Sequence, residues 1–286
     1  MKKPFYSFVS IFLILSCTNY GRLKVVSSLP DELKEVSGVE KIKKSDILWM
    51  HNDSGNKADV YGVNIFGEIQ QTIALTIKNK DWEDVTSDEE GNLYIADFGN
   101  NGNKRKNLVI YKITAEELTS QKIVTPEKIK FKYSNQTKFP PKKKKRFFDA
   151  ESLLYFKGGL YVFTKSRVKG AYGKTSLYKV PTTKGKYTAE YIDTFENCNN
   201  SIHCWVTAAC ISPDKTKVAL LTHDQVLVFT DFTGDNFFSG VVTEYDLGYT
   251  SQKEGVTFKD NNTLYITDEK SHGSGGKLYE FSLVEK

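Results

Sequence analysis

The chain has 286 residues, with 40 Lys and Arg against 35 Asp and Glu, a net charge of +5 and 39% apolar residues. That length suits one large domain. No stretch beyond the first residues is long and apolar enough for a membrane-spanning helix, and the four cysteines lack the spacing of a structural zinc site. The positive charge is spread along the chain except in one run, Lys142-Lys143-Lys144-Lys145-Arg146. In an exported protein such a run reads as a solvated loop, with contact to anionic lipid or polysaccharide as the alternative, and no nucleic-acid partner is expected.

The first residues read as a targeting segment. Lys2 and Lys3 precede an apolar run from Phe8 to Leu15, which has the length of a signal-peptide core. Ile14-Leu15-Ser16-Cys17 then has the form of a lipobox, and a polar tail, Thr18-Asn19-Tyr20, follows. The expectation is a signal peptide over 1–16, an acylated Cys17, a tether over 17–22 and a single domain over 23–286. Each methylene buried in lipid contributes about 0.8 kcal/mol, so two or more acyl chains anchor durably. This places the protein at the bacterial cell envelope. The outer membrane or cell surface is favoured over the inner membrane, because Cys17 is not followed by Asp. A monomer is expected.

From there the sequence repeats. Leu23-Lys24-Val25-Val26-Ser27-Ser28-Leu29 is a strand without a copy of its own. Five copies of one module follow, opening at Ser37-Gly38-Val39, Glu83-Asp84-Val85, Glu151-Ser152-Leu153, Thr207-Ala208-Ala209 and Glu254-Gly255-Val256. Each copy runs first strand, polar turn, second strand, loop and third strand. In copy two these are Trp82 to Thr86, Asp88 to Asn92, Leu93 to Asp97, Phe98 to Asn107 and Leu108 to Ile113. Lys128-Ile129-Lys130-Phe131-Lys132-Tyr133 alternates polar and apolar, as an outer strand should. Second strands recur at 47–51, 160–165, 218–223 and 263–268. Copy five lacks an outer strand, which the N-terminal segment would supply. Self-similarity at a period of roughly 45–60 residues marks an array of one supersecondary unit. The expected fold is therefore all-β, a five-bladed β-propeller closed by the N-terminal strand, since closure removes an exposed edge. Cys198 and Cys204 flank a polar loop where a disulfide would fit, and Cys210 falls on an apolar strand.

In such a blade the start of the first strand and the end of the second lie at one end. The starts carry Ser37, Glu83, Glu151, Thr207 and Glu254, with Glu35, Asp81, Asp149, Trp205 and Gln252 two positions earlier. The second strands end at His51 with Asp53, Asp97, Lys165, His223, and Asp268 with Glu269. All should gather at one mouth of the axial channel. So many carboxylates disfavour joint ionisation unless a cation, a base such as Lys165, Arg105 or Lys253, or backbone N–H groups compensate. Oxygen donors suit Ca²⁺ or Mg²⁺ better than zinc. Glu83, Glu151, Glu254, Asp97 and Asp268 are the candidate metal ligands. His51, Asp53, Asp81, Asp149, Lys165, His223 and Glu269 are the candidate ligand-binding groups. Asp97-Phe98-Gly99-Asn100 and Asp53-Ser54-Gly55-Asn56 are equally ordinary turn chemistry, but turns require no glutamate on the adjacent inner strand.

The motifs Glu35-Val36-Ser37-Gly38, Asp81-Trp82-Glu83-Asp84-Val85, Asp149-Ala150-Glu151-Ser152-Leu153 and Lys253-Glu254-Gly255-Val256-Thr257 resemble the inner strands of the SdiA-regulated propeller family. Leu48 to Asp53 and Leu264 to Glu269 resemble its second strands, and related motifs occur in NHL-type and phytase-like propellers. The resemblance covers roughly residues 25–283 and implies an exported five-bladed propeller that binds calcium near its axis. Thr207-Ala208 in copy four departs from the acidic pattern, which favours an off-axis site over a symmetric ring. The functional expectation is a lipid-anchored propeller that binds a divalent cation, Ca²⁺ by its donor chemistry, and through it a small-molecule or protein ligand. The alternatives are a metal-assisted hydrolase of a phosphoester, ester or glycosidic bond, and a protein–protein platform built on the blade loops.

Overall fold

Residues 19–120, 122–271 and 273–284 are described by a computed structural model of the chain. The signal peptide and Cys17 lie outside the described residues. After β1 (Lys24–Ser28), the strands form five antiparallel meanders. The first is β2 (Val36–Lys41), β3 (Leu48–Asn52), β4 (Asp59–Val63) and β5 (Ile69–Leu75). The second is β6 (Trp82–Ser87), β7 (Leu93–Asp97) and β8 (Leu108–Ile113), then the short helix α1 (Ala115–Ser120), β9 (Ile123–Val124) and β10 (Glu127–Tyr133). The third is β11 (Asp149–Phe156), β12 (Gly159–Lys165), β13 (Lys174–Pro181) and β14 (Gly185–Glu196). The fourth is β15 (Ala208–Ile211), β16 (Val218–Leu221), β17 (Gln225–Thr230) and β18 (Val241–Asp246). The last is β19 (Lys253–Asp260), β20 (Thr263–Asp268) and β21 (Lys277–Ser282).

Burial explains why inner and outer strands are spelled differently. β7 and β12 are buried at every position and read as near-continuous apolar runs. β10 buries Ile129, Phe131 and Tyr133 while the lysines between them stay exposed, the period of two that a half-covered strand requires. Neighbouring meanders stack face to face through cores such as Tyr94, Ile110, Phe131, Leu153, Val162 and Tyr178. Each such side chain contributes about 1.5–3 kcal/mol on burial.

The inner strands β2, β6, β11, β15 and β19 pack side by side in that order, and β19 packs again on β2. The chain is a β-propeller. β1 pairs antiparallel with β21, with Lys24 opposite Glu280 and Ser28 opposite Lys277, so the N-terminal strand supplies the outer strand that the last meander lacks. Residues 19–22 of the expected tether dock as well: Arg22 N donates to Leu247 O at 2.8 Å, and Tyr20 packs on Tyr249 and Tyr279. Two parallel pairings tie meanders together at their outer edges, β5 with β9 and β10 with β14. The latter makes meanders two and three one continuous sheet.

Polar groups along the axis cross-link the inner strands. Ser37 Oγ donates to Glu83 O at 2.9 Å and Thr207 Oγ1 to Lys253 O at 2.7 Å, so these two repeat-opening residues join adjacent strands. The buried Asp84 carboxylate accepts the N–H groups of Leu153 at 2.9 Å and Ala209 at 3.2 Å, on β11 and β15. Cys198 and Cys204 form a disulfide, and Cys210 is a buried free thiol on β15. Among the described residues no helix is long and apolar enough to cross a membrane.

Candidate metal centre at the acidic end of the axis

The second residue of β6 is Glu83, Asp81 precedes that strand, and Asp53 follows β3. One carboxylate oxygen from each lies within 4.8 Å of the others, a spacing that could hold a metal ion. Glu83 is only 7% exposed, yet among the described residues no hydrogen-bond donor and no ion-pair partner meets its carboxylate. The chain after β7 wraps tightly around it. Gly99 N donates to Asp81 O at 3.1 Å, and a β-carbon on Gly99 would lie 1.9 Å from Glu83 Oε1 and 2.6 Å from Asp81 Oδ2. Only glycine permits that approach. Asn79 Nδ2 fixes the other side by donating to Asn52 O at 3.0 Å and Asp53 O at 2.8 Å. Asn56 Nδ2 adds bonds to Glu35 Oε2 at 2.6 Å and Asp53 O at 3.1 Å.

The carboxylates outnumber the nearby cations, of which Arg105 reaches Asp81 Oδ2 at 3.9 Å. Burial, then the nearby Asp53, pushes Asp81 up to about 6. Burial followed by Glu151, Asp53, Asp149 and Asp81 raises Glu83 well above the carboxylate range. Asp53 and Glu254 are raised chiefly by burial. Glu269 reaches about 8 through burial and then Glu254, Asp53 and Glu35, and Asp149 about 7 through burial and then Glu151. Lone buried carboxylates keep protons or take up a cation.

Several predicted residues have other partners. Glu151 Oε2 pairs with Lys165 Nζ at 2.8 Å and Glu151 Oε1 with Arg167 at 3.4 Å, while Asp149 takes the Arg167 Nε at 2.5 Å. Lys165 is thus a counter-ion within the wall. Asp97 is fully buried against Arg105, 2.7 Å away, and that guanidinium also donates to Gly99 O at 2.8 Å. Asp268 accepts Lys277 N and Tyr279 Oη, both at 2.9 Å, and caps the end of the last meander. Of the five acids expected as metal ligands, Glu83 alone belongs to the three-carboxylate cluster. Glu254 faces Lys165 and Asp53 from the neighbouring strand.

Neither histidine sits in the cluster. His51 is fully buried, edge-on to Trp82 at 5.4 Å, and burial depresses its pKa to about 4. Burial and then Lys165 do the same to His223. Lys253, a suggested counter-ion, points instead to His223 O at 2.9 Å and Tyr249 O at 2.5 Å.

Sequence reasoning missed Arg167, which lies just beyond the end of β12 where the repeat alignment stops. It stacks on the Trp205 ring at 4.8 Å, and the Trp205 indole donates to Ser166 O at 2.8 Å. The available signal is the pair of acids Asp149 and Glu151 on β11, opposite the end of β12 that runs on into Ser166-Arg167. Asp84 is also outside the predicted set, because the repeat alignment draws its candidates from the opening residue Glu83 and from Asp81, two places earlier.

The donor set is three hard oxygens without sulfur or imidazole, which suits Ca²⁺ or Mg²⁺. Three carboxylates are fewer than the six to eight oxygens Ca²⁺ takes, so an ion held here would need further oxygen donors. The unpaired, buried Glu83 is the observation that fits these residues to a cation.

No family model matches the chain, and no curated protein sequence matches it. Among solved structures it is similar to a gluconolactonase from Xanthomonas campestris, at 11% identity and a TM-score of 0.51, over 92% of this chain and 90% of the other. It is also similar to the PQQ-bound aldose sugar dehydrogenase from Streptomyces coelicolor, at 8% identity and a TM-score of 0.50, over 91% and 97% of the two chains. At these identities the likeness shows a common β-propeller fold.

Proposed function

We propose that this chain is a lipid-anchored, extracytoplasmic β-propeller that binds a divalent cation, Ca²⁺ by its donor chemistry, through Asp53, Asp81 and Glu83, and binds a ligand through that ion. The observation that carries the reading is the Glu83 carboxylate: nine-tenths buried, facing two more carboxylates, and without a donor or cation among the described residues. A buried charge in that state is costly unless an ion is present. The resemblance of the inner-strand motifs to the SdiA-regulated family supports the same reading. Binding is favoured over turnover because, among the hydrogen bonds seen in the described residues, no serine hydroxyl or cysteine thiol meets a histidine ring, the arrangement that nucleophilic catalysis would use.

Isothermal titration of EGTA-treated protein with Ca²⁺ and Mg²⁺ tests the site. Saturable binding of one ion, lost in Glu83→Gln, is expected; no binding, or equal binding by the variant, overturns the proposal. Turnover of any member of a panel of phosphoesters, esters and glycosides would establish the hydrolase in its place. The lipid anchor is tested separately by mass spectrometry of the mature N-terminus, where an acylated Cys17 is expected and a Cys17→Ser variant should move to the soluble fraction.

A further inference from the structure

On the outer flank of the second meander, away from the axis, lies a concavity of about 670 Å³. Lys80, Lys106, Lys128, Lys130, Lys132 and Lys186 line it, and among the described residues no acidic one does. All six lysines are exposed, and among the described residues none forms an ion pair. Three of them, Lys128, Lys130 and Lys132, stand on one face of β10, spaced about 6.7 Å apart by the strand's two-residue repeat. The parallel pairing of β10 with β14 sets Lys186 directly beside Lys130. Like charges placed side by side across strands destabilise a sheet, so the fold carries a repulsion that a bound anion would relieve.

We propose that this groove binds an acidic polysaccharide, a chain bearing carboxylate or sulfate groups along its length. The row of point charges suits a linear polyanion, because each lysine that displaces a counter-ion from the polymer adds to affinity. A membrane surface does not fit, since a flat bilayer cannot enter a concavity. Single-stranded nucleic acid is disfavoured because its sites stack bases on open aromatic faces: Tyr111 is 5% exposed, and Phe131 and Tyr187 pack together into the core on the sheet face opposite the lysines. The site is independent of the cation at the axis.

The experiment measures binding of polygalacturonate to the full chain at several salt concentrations. Neutral dextran and an oligothymidylate of matched charge are the comparisons. Polygalacturonate should bind and dextran should not. Replacing Lys128, Lys130, Lys132 and Lys186 with Ala should weaken binding at least about tenfold and lower the log–log salt slope by about four, one per lysine. A second variant, with Lys142 to Lys145 all changed to Ala, should bind as the parent does, and Glu83→Gln should have no effect. The proposal fails if polygalacturonate does not bind at low salt, if the flank variant binds unchanged, if the 142–145 variant alone loses binding, or if the oligothymidylate binds more tightly. All four flank lysines are exposed, so the flank variant should fold, and relief of the Lys130–Lys186 repulsion should leave its melting temperature equal or higher.

Discussion

Glu83 Oε1 lies so close to the α-carbon of Gly99 that a β-carbon there would sit 1.9 Å away. The loop after β7 and the start of β6 therefore share one volume, and the position of the carboxylate depends on a residue sixteen places along the chain. Gly99→Ala should push Glu83 and Asp81 apart and abolish the stabilisation conferred by Ca²⁺. At a hundred times the dissociation constant that stabilisation is about 2.7 kcal/mol. Thermal melts of parent and variant, each with Ca²⁺ and with EGTA, check this; a variant that gains as much as the parent would show that the approach is not needed for binding.

Without a cation, stability should fall between about pH 6.5 and pH 8. Burial, reinforced by neighbouring acids, holds Asp149 protonated to about pH 7 and Glu269 to about pH 8 in the folded state, against 3.8 and 4.5 when free. The folded chain then binds more protons than the unfolded one, so rising pH favours unfolding. His51 and His223 work the other way, since burial lowers both from 6.5 to about 4, but their effect ends near pH 6.5. Above about pH 8 the depressed Lys253 reverses the trend. Melting temperatures in EGTA across this range should show a minimum near pH 8, and Glu269→Gln should make it shallower.

Asp84 joins β6 to β11 and β15 through two N–H groups received at the same oxygen, Oδ2. Asp84→Ala leaves both donors buried and unpaired, at about 1–3 kcal/mol each. Burial raises the Asp84 carboxyl well above its usual range, and Asp84→Asn keeps an acceptor in place without adding charge, so it should cost far less. Urea unfolding of the two variants checks this, and equal losses would show that the two N–H bonds are not what Asp84 contributes.

Arg105 neutralises Asp97, which is fully buried. Arg105→Met should cost about 3–5 kcal/mol, because it strands a buried charge. The double change with Asp97→Asn should recover part of that loss. Chemical denaturation of the single and double variants gives the coupling, and no recovery would mean that the bonds from Arg105 to Gly99 O and Asp97 O dominate.

The repeats, the order of strands and the closing role of residues 24–28 were legible because each rests on local spelling. Alternation in Lys128 to Tyr133, apolar runs such as Leu160 to Thr164, and polar turns such as Asp88 to Asn92 state strand and turn within a few residues. The gathering of acids at one end also followed, since strand direction alone brings the start of β6 and the ends of β3 and β7 together.

Which acids would be paired was not legible. Glu151 reaches Lys165 and Arg167 across a hairpin, Asp97 meets Arg105 through a loop bend, and Glu83 has no partner among the described residues. The groove on the flank likewise needed the parallel pairing of β10 with β14, which brings Lys186 beside Lys130 from fifty-six residues away. Strand formation follows from a periodicity written along the chain, whereas the balance of charge at a point depends on distances of a few ångströms between residues that only packed meanders and folded loops bring into reach.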